Sequence, residues 1–212
     1  MGSNYRFSPF GEAIHPWINK ADTKFNKNHY HVKLACGGPE ALALKEAIEL
    51  EAKEGFERFW ETEQGKKIPL KERKTWSVYF PFEVETDDTG DTPTGYIVFD
   101  FKQNAQLKLK EGTTKEVTIG IVDAKNKPVT APIFGGSVLR TMFTTRDVVV
   151  VSNKKAGVRL DFAKVQIRSL GQGASGGGGS FSEDEGGYEV ESERLPSDHT
   201  GNGSSADTQG DY

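Results

Sequence analysis

The sequence predicts a mainly β domain closed into a small barrel, with one long helix inserted among the strands and an acidic tail at the C-terminal end. Three observations predict it. Over residues 117–170 the runs VTIGIVDA, SVLRTMFTT, RDVVVVS and AGVRLDFAKVQIRSL are rich in Val, Ile, Thr and Phe, residues that fit a pleated, half-buried surface. Turn-forming residues break the series at Asp123-Ala124-Lys125-Asn126, Gly135-Gly136 and Asn153-Lys154-Lys155-Ala156-Gly157, so the runs read as consecutive strands. In the last run Val158, Leu160 and Phe162 form the apolar series, and Val165 and Ile167 continue it in the opposite phase. With a side-chain period of two, the change of phase requires one inserted residue, a bulge near Ala163. A bent strand able to pair with two neighbours is what a small barrel uses at its corner.

Taken in order, residues 1–28 carry Tyr5, Phe7, Phe10, Trp17 and Phe25 among Gly, Pro, Asn and Lys with no sustained period. They are expected to form an extended strap on the barrel, pinned by Phe10 and Trp17, with core packing favoured over ligand contact for Trp17. The barrel itself is expected over residues 29–170. HYHVKLA at 29–35 reads as its first strand, with His29 and His31 on one face; two histidines without a third ligand nearby do not make a metal site, and a solvated or ligand-facing pair is expected. Pro39, after Gly37-Gly38, suits the first turn of a helix over about 39–63. Ala41, Leu44, Ile48, Ala52, Phe56 and Phe59 give that helix one apolar stripe, leaving Lys45, Glu49, Lys53 and Glu57 outside.

Residues 66–74 hold five positive charges, in a loop that Pro69 and Pro81 are expected to keep from becoming helix. Residues 76–85 and 95–103 flank a long polar loop and read as a hairpin. Trp76, Val78, Phe80 and Phe82 share one face with Tyr79 on the other, while Ile97, Phe99 and Phe101 alternate with Tyr96, Val98 and Asp100. Alternation yields two faces without saying which is inside.

The chain of 212 residues has room for one domain and a tail. Its single cysteine, Cys36, excludes an intramolecular disulfide and a paired-thiolate metal site, and is expected to be a small buried residue in a reducing setting. The net charge of -4 is unevenly divided: residues 171–212 hold nine acids and one base, leaving 26 bases and 22 acids in residues 1–170. A mildly basic body beside an acidic tail points to an anionic partner and a tail able to compete with it. The tail begins GQGASGGGGS, a flexible linker by composition, and the acidic Ser/Gly-rich segment after it cannot bury enough surface to fold. It ends Asp211-Tyr212, a ring beside carboxylates, which imitates the base and phosphate of a nucleotide.

No GxSxG, HExxH or paired-Cys motif occurs, and Gly135-Gly136-Ser137 lacks the lysine of a phosphate-binding loop. The expectation is a non-catalytic protein with no cofactor and no metal. Aromatics interleaved with cations on a sheet face hold single-stranded nucleic acid, bases on rings and phosphates on Lys and Arg. On that logic the stacking candidates are Trp76, Tyr79, Tyr96, Phe99 and Phe143, the phosphate candidates Lys71, Arg73, Arg140, Arg146, Lys154, Lys155 and Arg159, and the histidine pair faces solvent or DNA.

An ordered set of features resembles one family. It comprises the segment 11–22 with Pro16-Trp17-Ile18 and Lys20; a strand followed by a long helix; Gly65-Lys66-Lys67 with Pro69-Leu70-Lys71; Ile121-Val122-Asp123; Pro132-Ile133 with Gly135-Gly136-Ser137; a long final strand; and an acidic tail ending in an aromatic. Together these resemble the podovirus-type single-stranded DNA-binding proteins of tailed bacteriophages. The family's terminal residue is typically Phe, where this chain has Tyr212, and this tail is richer in Gly and Ser. The resemblance implies an OB-fold barrel that coats single-stranded DNA in phage replication, recombination and repair. It further implies contact through Asp211, Tyr212 and the rest of the tail with a phage DNA polymerase and helicase/primase, a homodimer formed by tail exchange, and a place in the cytoplasm of an infected bacterial host. The alternatives from other classes are an OB-fold protein-interaction adaptor with no nucleic-acid role, and a hydrolase or nuclease with metal-ligating carboxylates in the body.

Overall fold

In the computed structural model the described residues are 4–24, 28–109 and 111–172, so nearly all of the expected linker and tail, with Asp211 and Tyr212, lies outside them. Eleven strands and three α-helices follow in the order β1 (Arg6–Phe7), β2 (Gly11–Asp22), β3 (His29–Gly37), α1 (Pro39–Glu61), α2 (Glu63–Lys66), α3 (Leu70–Arg73), β4 (Ser77–Tyr79), β5 (Phe82–Thr86), β6 (Pro93–Asn104), β7 (Gln106–Lys108), β8 (Thr114–Glu116), β9 (Gly120–Val122), β10 (Val138–Val150) and β11 (Lys155–Ser169). Five of them close a ring. β2 pairs with β3 and β3 with β6, both antiparallel. β6 then meets β11 in parallel through Phe101 and Leu160, β11 pairs along the length of β10, and β10 returns to β2 through Leu139 opposite Gly11. Closure removes the open edges that a five-stranded sheet would otherwise expose.

The inside of the ring follows from alternation. Val32, Leu34 and Cys36 of β3, Phe99 and Phe101 of β6, Leu139 and Phe143 of β10, and Leu160, Phe162, Val165 and Ile167 of β11 all have no exposed surface. The inward series of β11 changes phase where expected: Phe143 opposes Phe162 and Met142 opposes Lys164, leaving Ala163 as the bulged residue. A second shift leaves Arg168 between Ile167 and Ser169.

Four expectations are corrected. The run at 76–85, expected as one strand, is split at Phe80-Pro81 into β4 and β5: β4 pairs with β11 and only β5 pairs with β6, since a proline gives no N–H to a ladder. The N-terminal segment is no strap but a full barrel strand. Its period is broken because Ile14 and Trp17 oppose Lys33 and His31, three steps against two, with His15 between them at φ 48; the extra residue is a bulge and hides the alternation. SVLRTMFTT and RDVVVVS run together as the single strand β10 from Val138 to Val150, while VTIGIVDA contributes only the three residues of β9. The basic loop starts at the last residue of the one-turn helix α2 and contains the one-turn helix α3, with Pro69 as the N-cap of α3, where a proline's missing N–H costs nothing.

Helix α1 buries Ala41, Ile48, Ala52, Gly55 and Phe59 of the expected side. Its outer side carries Glu49, which accepts from Lys45 and Lys53 at 2.8 Å each; those bonds hold the carboxyl down at about 2. The helix sits so close to β11 that a Cβ on Gly55 would lie 3.0 Å from the Gly157 carbonyl oxygen, and a Cβ on Gly157 would lie 2.3 Å from that of Tyr79 on β4. Two backbones therefore press on Gly157 where no side chain can swing aside. Gly157→Ala is expected to lower the unfolding free energy by about 2–3 kcal/mol, the upper range for overpacking, measured by urea denaturation. An unchanged urea midpoint would show that β4 parts from β11 without cost.

Cys36 is fully buried beside Gly11 and the Pro9 carbonyl, and burial pushes its thiol up to about 12. The thiolate is the reactive form, so a thiol reagent at pH 8 is expected to label the protein only after denaturant is added. Because the folded-state value is raised, the associated stability is present below the ordinary thiol range and is lost as pH rises toward 12.

Candidate nucleic-acid interface

The same alternation that fills the barrel sets its outer wall. With Val32 and Leu34 inside, His29, His31 and Lys33 of β3 point out; with Phe99 and Phe101 inside, Val98, Asp100, Lys102 and Asn104 of β6 do so. Register then aligns a row across four strands: Trp17 of β2 opposes His31, His31 opposes Lys102, and Lys102 pairs with Asp161 of β11. The Trp17 ring centre is 6.3 Å from that of His31, which is 5.1 Å from His29. The ammonium groups of Lys20 and Lys24 lie 5.8 Å and 5.7 Å from the Trp17 ring.

Carboxylates hold the cations of this wall in place. Asp22 accepts from the Lys24 backbone N–H at 2.9 Å and lies 3.3 Å from His31 Nε2. Its carboxyl is held below the usual range, first by the Lys24 N–H and with help from His31. Lys102 Nζ donates to Asp100 at 2.6 Å. Burial pulls the Lys102 ammonium down, but Asp100 outweighs it by charge and hydrogen bond, and the net shift is upward. Arg159 donates to Asp161 and, at 3.3 Å, to Asn104 Oδ1; Arg146 Nε reaches the same Asp161 at 3.0 Å. Two guanidinium groups on one carboxylate leave a net positive charge facing out. Beside them a groove of about 280 Å³ is lined by Lys33, Tyr79, Phe82, Val98, Asp100 and Lys155 among others. The Tyr79 hydroxyl on its wall is pushed up, chiefly by burial.

Of the residues the sequence singles out, the structure brings Tyr79, Arg146, Lys155 and Arg159 to this face, with Lys154 at its margin, donating to Thr75 at 3.2 Å. Phe99 and Phe143 are corrected: both have no exposed surface, because both occupy inward positions of their strands. Trp76 stacks on Phe59 at 4.9 Å and meets Trp60 edge-on at 6.0 Å, so it ties the end of α1 to β4. Arg73 lies over Trp60 at 5.0 Å and donates to the Ile68 carbonyl at 3.3 Å; Lys71 is exposed on the same one-turn helix. Tyr96 is 49% exposed but pairs with Gly37 at the far end of β3. Arg140 lies against Phe7 and Phe10, away from the row.

The face also holds residues the sequence reading did not place there: Lys20, Lys24, Lys33 and Lys102, and above all Trp17, expected in the core and found half-buried under two lysines. A signal existed in His29, His31 and Lys33, which keep one parity along a strand.

The ring order β2-β3-β6-β11-β10 with β6 and β11 parallel is the OB-fold, a barrel whose second and third strands characteristically carry oligonucleotide and oligosaccharide sites. No protein-family model matches the chain, and no curated protein sequence matches it. Among solved structures it is similar to gp2.5, a single-stranded DNA-binding protein encoded by bacteriophage T7, with a TM-score of 0.65 and 22% identity over 85% of this chain and 100% of that one. It is also similar to the single-stranded DNA-binding protein from bacteriophage Enc34. The C-terminal truncation gives a TM-score of 0.51 at 11% identity over 81% of this chain and 88% of that one, and the complex with single-stranded DNA gives 0.51 at 12% over 81% and 89%. At these identities the likeness establishes a shared fold.

Proposed function

We propose that this protein binds single-stranded DNA along the outer wall of β2, β3, β6 and β11, without catalysis and without base preference. The observation that carries the reading is the row from Trp17 through His31 and Lys102 to the Arg159–Asp161–Arg146 cluster, with Lys20 and Lys24 at one end. Rings accept the face of any base, and the cations beside them take the phosphates. The fold shared with the two phage proteins, one of them solved with single-stranded DNA, supports it.

The biological setting proposed with it is phage DNA replication, recombination and repair in the host cytoplasm. The acidic tail competes for the wall when DNA is absent and recruits replication proteins such as a polymerase or helicase/primase, and the protein forms a homodimer. These parts rest on the charge division of the chain and on the family resemblance.

The test is Trp fluorescence during titration with oligo-dT and with a matched duplex at low and high salt, backed by a label-free assay because Trp60 and Trp76 are packed. Preferential binding of the single strand is expected, with log K falling against log salt by about 0.7 per phosphate met, so a slope near −3 if about four cations engage. Absence of binding to either nucleic acid would overturn the reading in favour of a protein-binding barrel. Truncation after Leu170 is expected to tighten binding, most at low salt where the tail's charge is least screened.

A further inference from the structure

The second patch of rings and guanidinium groups lies on the opposite stretch of the β10–β11 ribbon. Arg140 lies 5.6 Å from the Phe7 ring and 4.9 Å from the Phe10 ring, and Arg168 lies 4.1 Å from the Phe10 ring. Arg140 is positioned by its own bond to Gln166, Nε to Oε1 at 2.8 Å. Phe7 is 60% exposed and Arg168 is exposed. Two guanidinium groups thus share one ring, and among the described residues neither makes an ion pair with a carboxylate; Glu12, opposite Val138 on the neighbouring strand, is paired with neither. Like charges held together without a counter-charge favour an anion that bridges them, and a guanidinium over a ring keeps N–H groups that can meet it.

The patch is continuous with the wall described above. Outward positions of β10 run from Arg140 through Met142 and Thr144 to Arg146, six residues or about 20 Å at the rise of a strand. On β11 the bulge at Ala163 turns Lys164 outward opposite Met142, between Arg159 at the wall and Arg168 at the patch. Asp161, already held by Arg146 and Arg159, is the one acid on the outward face of this ribbon among the described residues.

We propose that Phe7, Phe10, Arg140, Lys164 and Arg168 form a second single-strand subsite, which takes the polynucleotide as it leaves the wall and follows the outer face of the β10–β11 ribbon. This rests on the single-stranded DNA reading. It predicts that a short strand uses the wall alone and a longer one reaches both. The phosphates meet the two arginines and Lys164, and the exposed Phe7 ring takes a base.

The experiment compares Arg140→Ala/Arg168→Ala and Phe7→Ala with the full-length wild type, titrating a dT series from very short to several tens of nucleotides at two salt concentrations. The expected result is wild-type affinity for the short strands and about tenfold weaker binding of the long ones by the arginine pair, with a salt slope shallower by about 0.7 per lost contact. Phe7→Ala is expected to weaken long strands only. Wild-type affinity of both variants for every length would overturn the subsite. Equal weakening at all lengths would also overturn it, since the residues would then belong to the first site. Failure of the wild type to bind any strand would instead remove the reading on which it rests. Tighter long-strand binding by the arginine pair would overturn it in favour of the protein's own acidic tail as the occupant. The patch lies outside the barrel, so unfolding curves of both variants are expected to match the wild type, and Arg140→Lys/Arg168→Lys is expected to restore long-strand binding in part.

Discussion

Trp17→Ala is expected to weaken binding of a dT oligonucleotide by about 1–3 kcal/mol, roughly ten- to a hundredfold, the range found when a stacking ring is removed from a single-strand site. The ring is half-buried and lies beside His31 with two ammonium groups 5.8 Å and 5.7 Å from its centre. A base arriving there gains a π-surface and a phosphate site at once. Trp76→Ala provides the contrast, because that ring stacks on Phe59 and meets Trp60 edge-on within the protein; its loss is expected to lower stability and leave affinity nearly unchanged. Trp17→Phe is expected to keep most of the affinity. If Trp17→Ala binds the oligonucleotide as the wild type does, the wall is not where the bases stack.

Why Trp17 was misplaced by sequence while the bulge at Ala163 was not is a matter of backbone geometry. Both are interruptions of a period-two pattern. At Ala163 the apolar series is long on either side, so Phe162 and Val165 display the change of phase in the sequence itself. Around His15 the flanking runs are short and mixed, and the extra residue, in a left-handed conformation, removes the only pattern that would have shown a strand. The helix was legible because the stripe from Ala41 to Phe59 has a single apolar side and Pro39 marks its start; its end, at Glu61, falls two residues short of the expected one. The hairpin of β5 and β6 was legible from its polar loop, but the break at Phe80-Pro81 that sends residues 77–79 to β11 was not. Its faces were not, since Phe99 and Tyr96 are both aromatic and parity alone does not say which one enters the barrel. The cations divide for a similar reason. Charge marks Arg73, Arg140 and Arg159 equally, but only the register brings Arg159 beside Lys102 and leaves Arg73 against Trp60.

Phe99→Ala and Phe143→Ala carry the largest expected effect on stability and, in the same measurement, separate core from interface. Each ring is fully buried. Phe143 meets Phe101 edge-on at 5.3 Å, and Phe99 lies 6.2 Å from Phe82 and 6.4 Å from Phe101, so the three strands β6, β10 and β5 join through these contacts. Removing a buried phenylalanine costs about 3–5 kcal/mol through lost transfer energy and the cavity left behind. A domain has only about 5–15 kcal/mol in total, so either variant is expected to lose a large part of its stability, read as a shift of the urea midpoint. Phe99→Leu, which keeps most of the volume, is expected to lose less than its alanine counterpart. Affinity for the single strand, measured where each variant is still fully folded, is expected to match the wild type, because neither ring reaches the outer wall. Loss of affinity at unchanged stability would place the ring on the strand's path and would require the inward and outward parities of β6 or β10 to be exchanged. The same exchange would bury Lys102 together with Asp100, or Arg146, and taking such charges out of water costs several kcal/mol per ion; it is this penalty that fixes which face of each strand points outward.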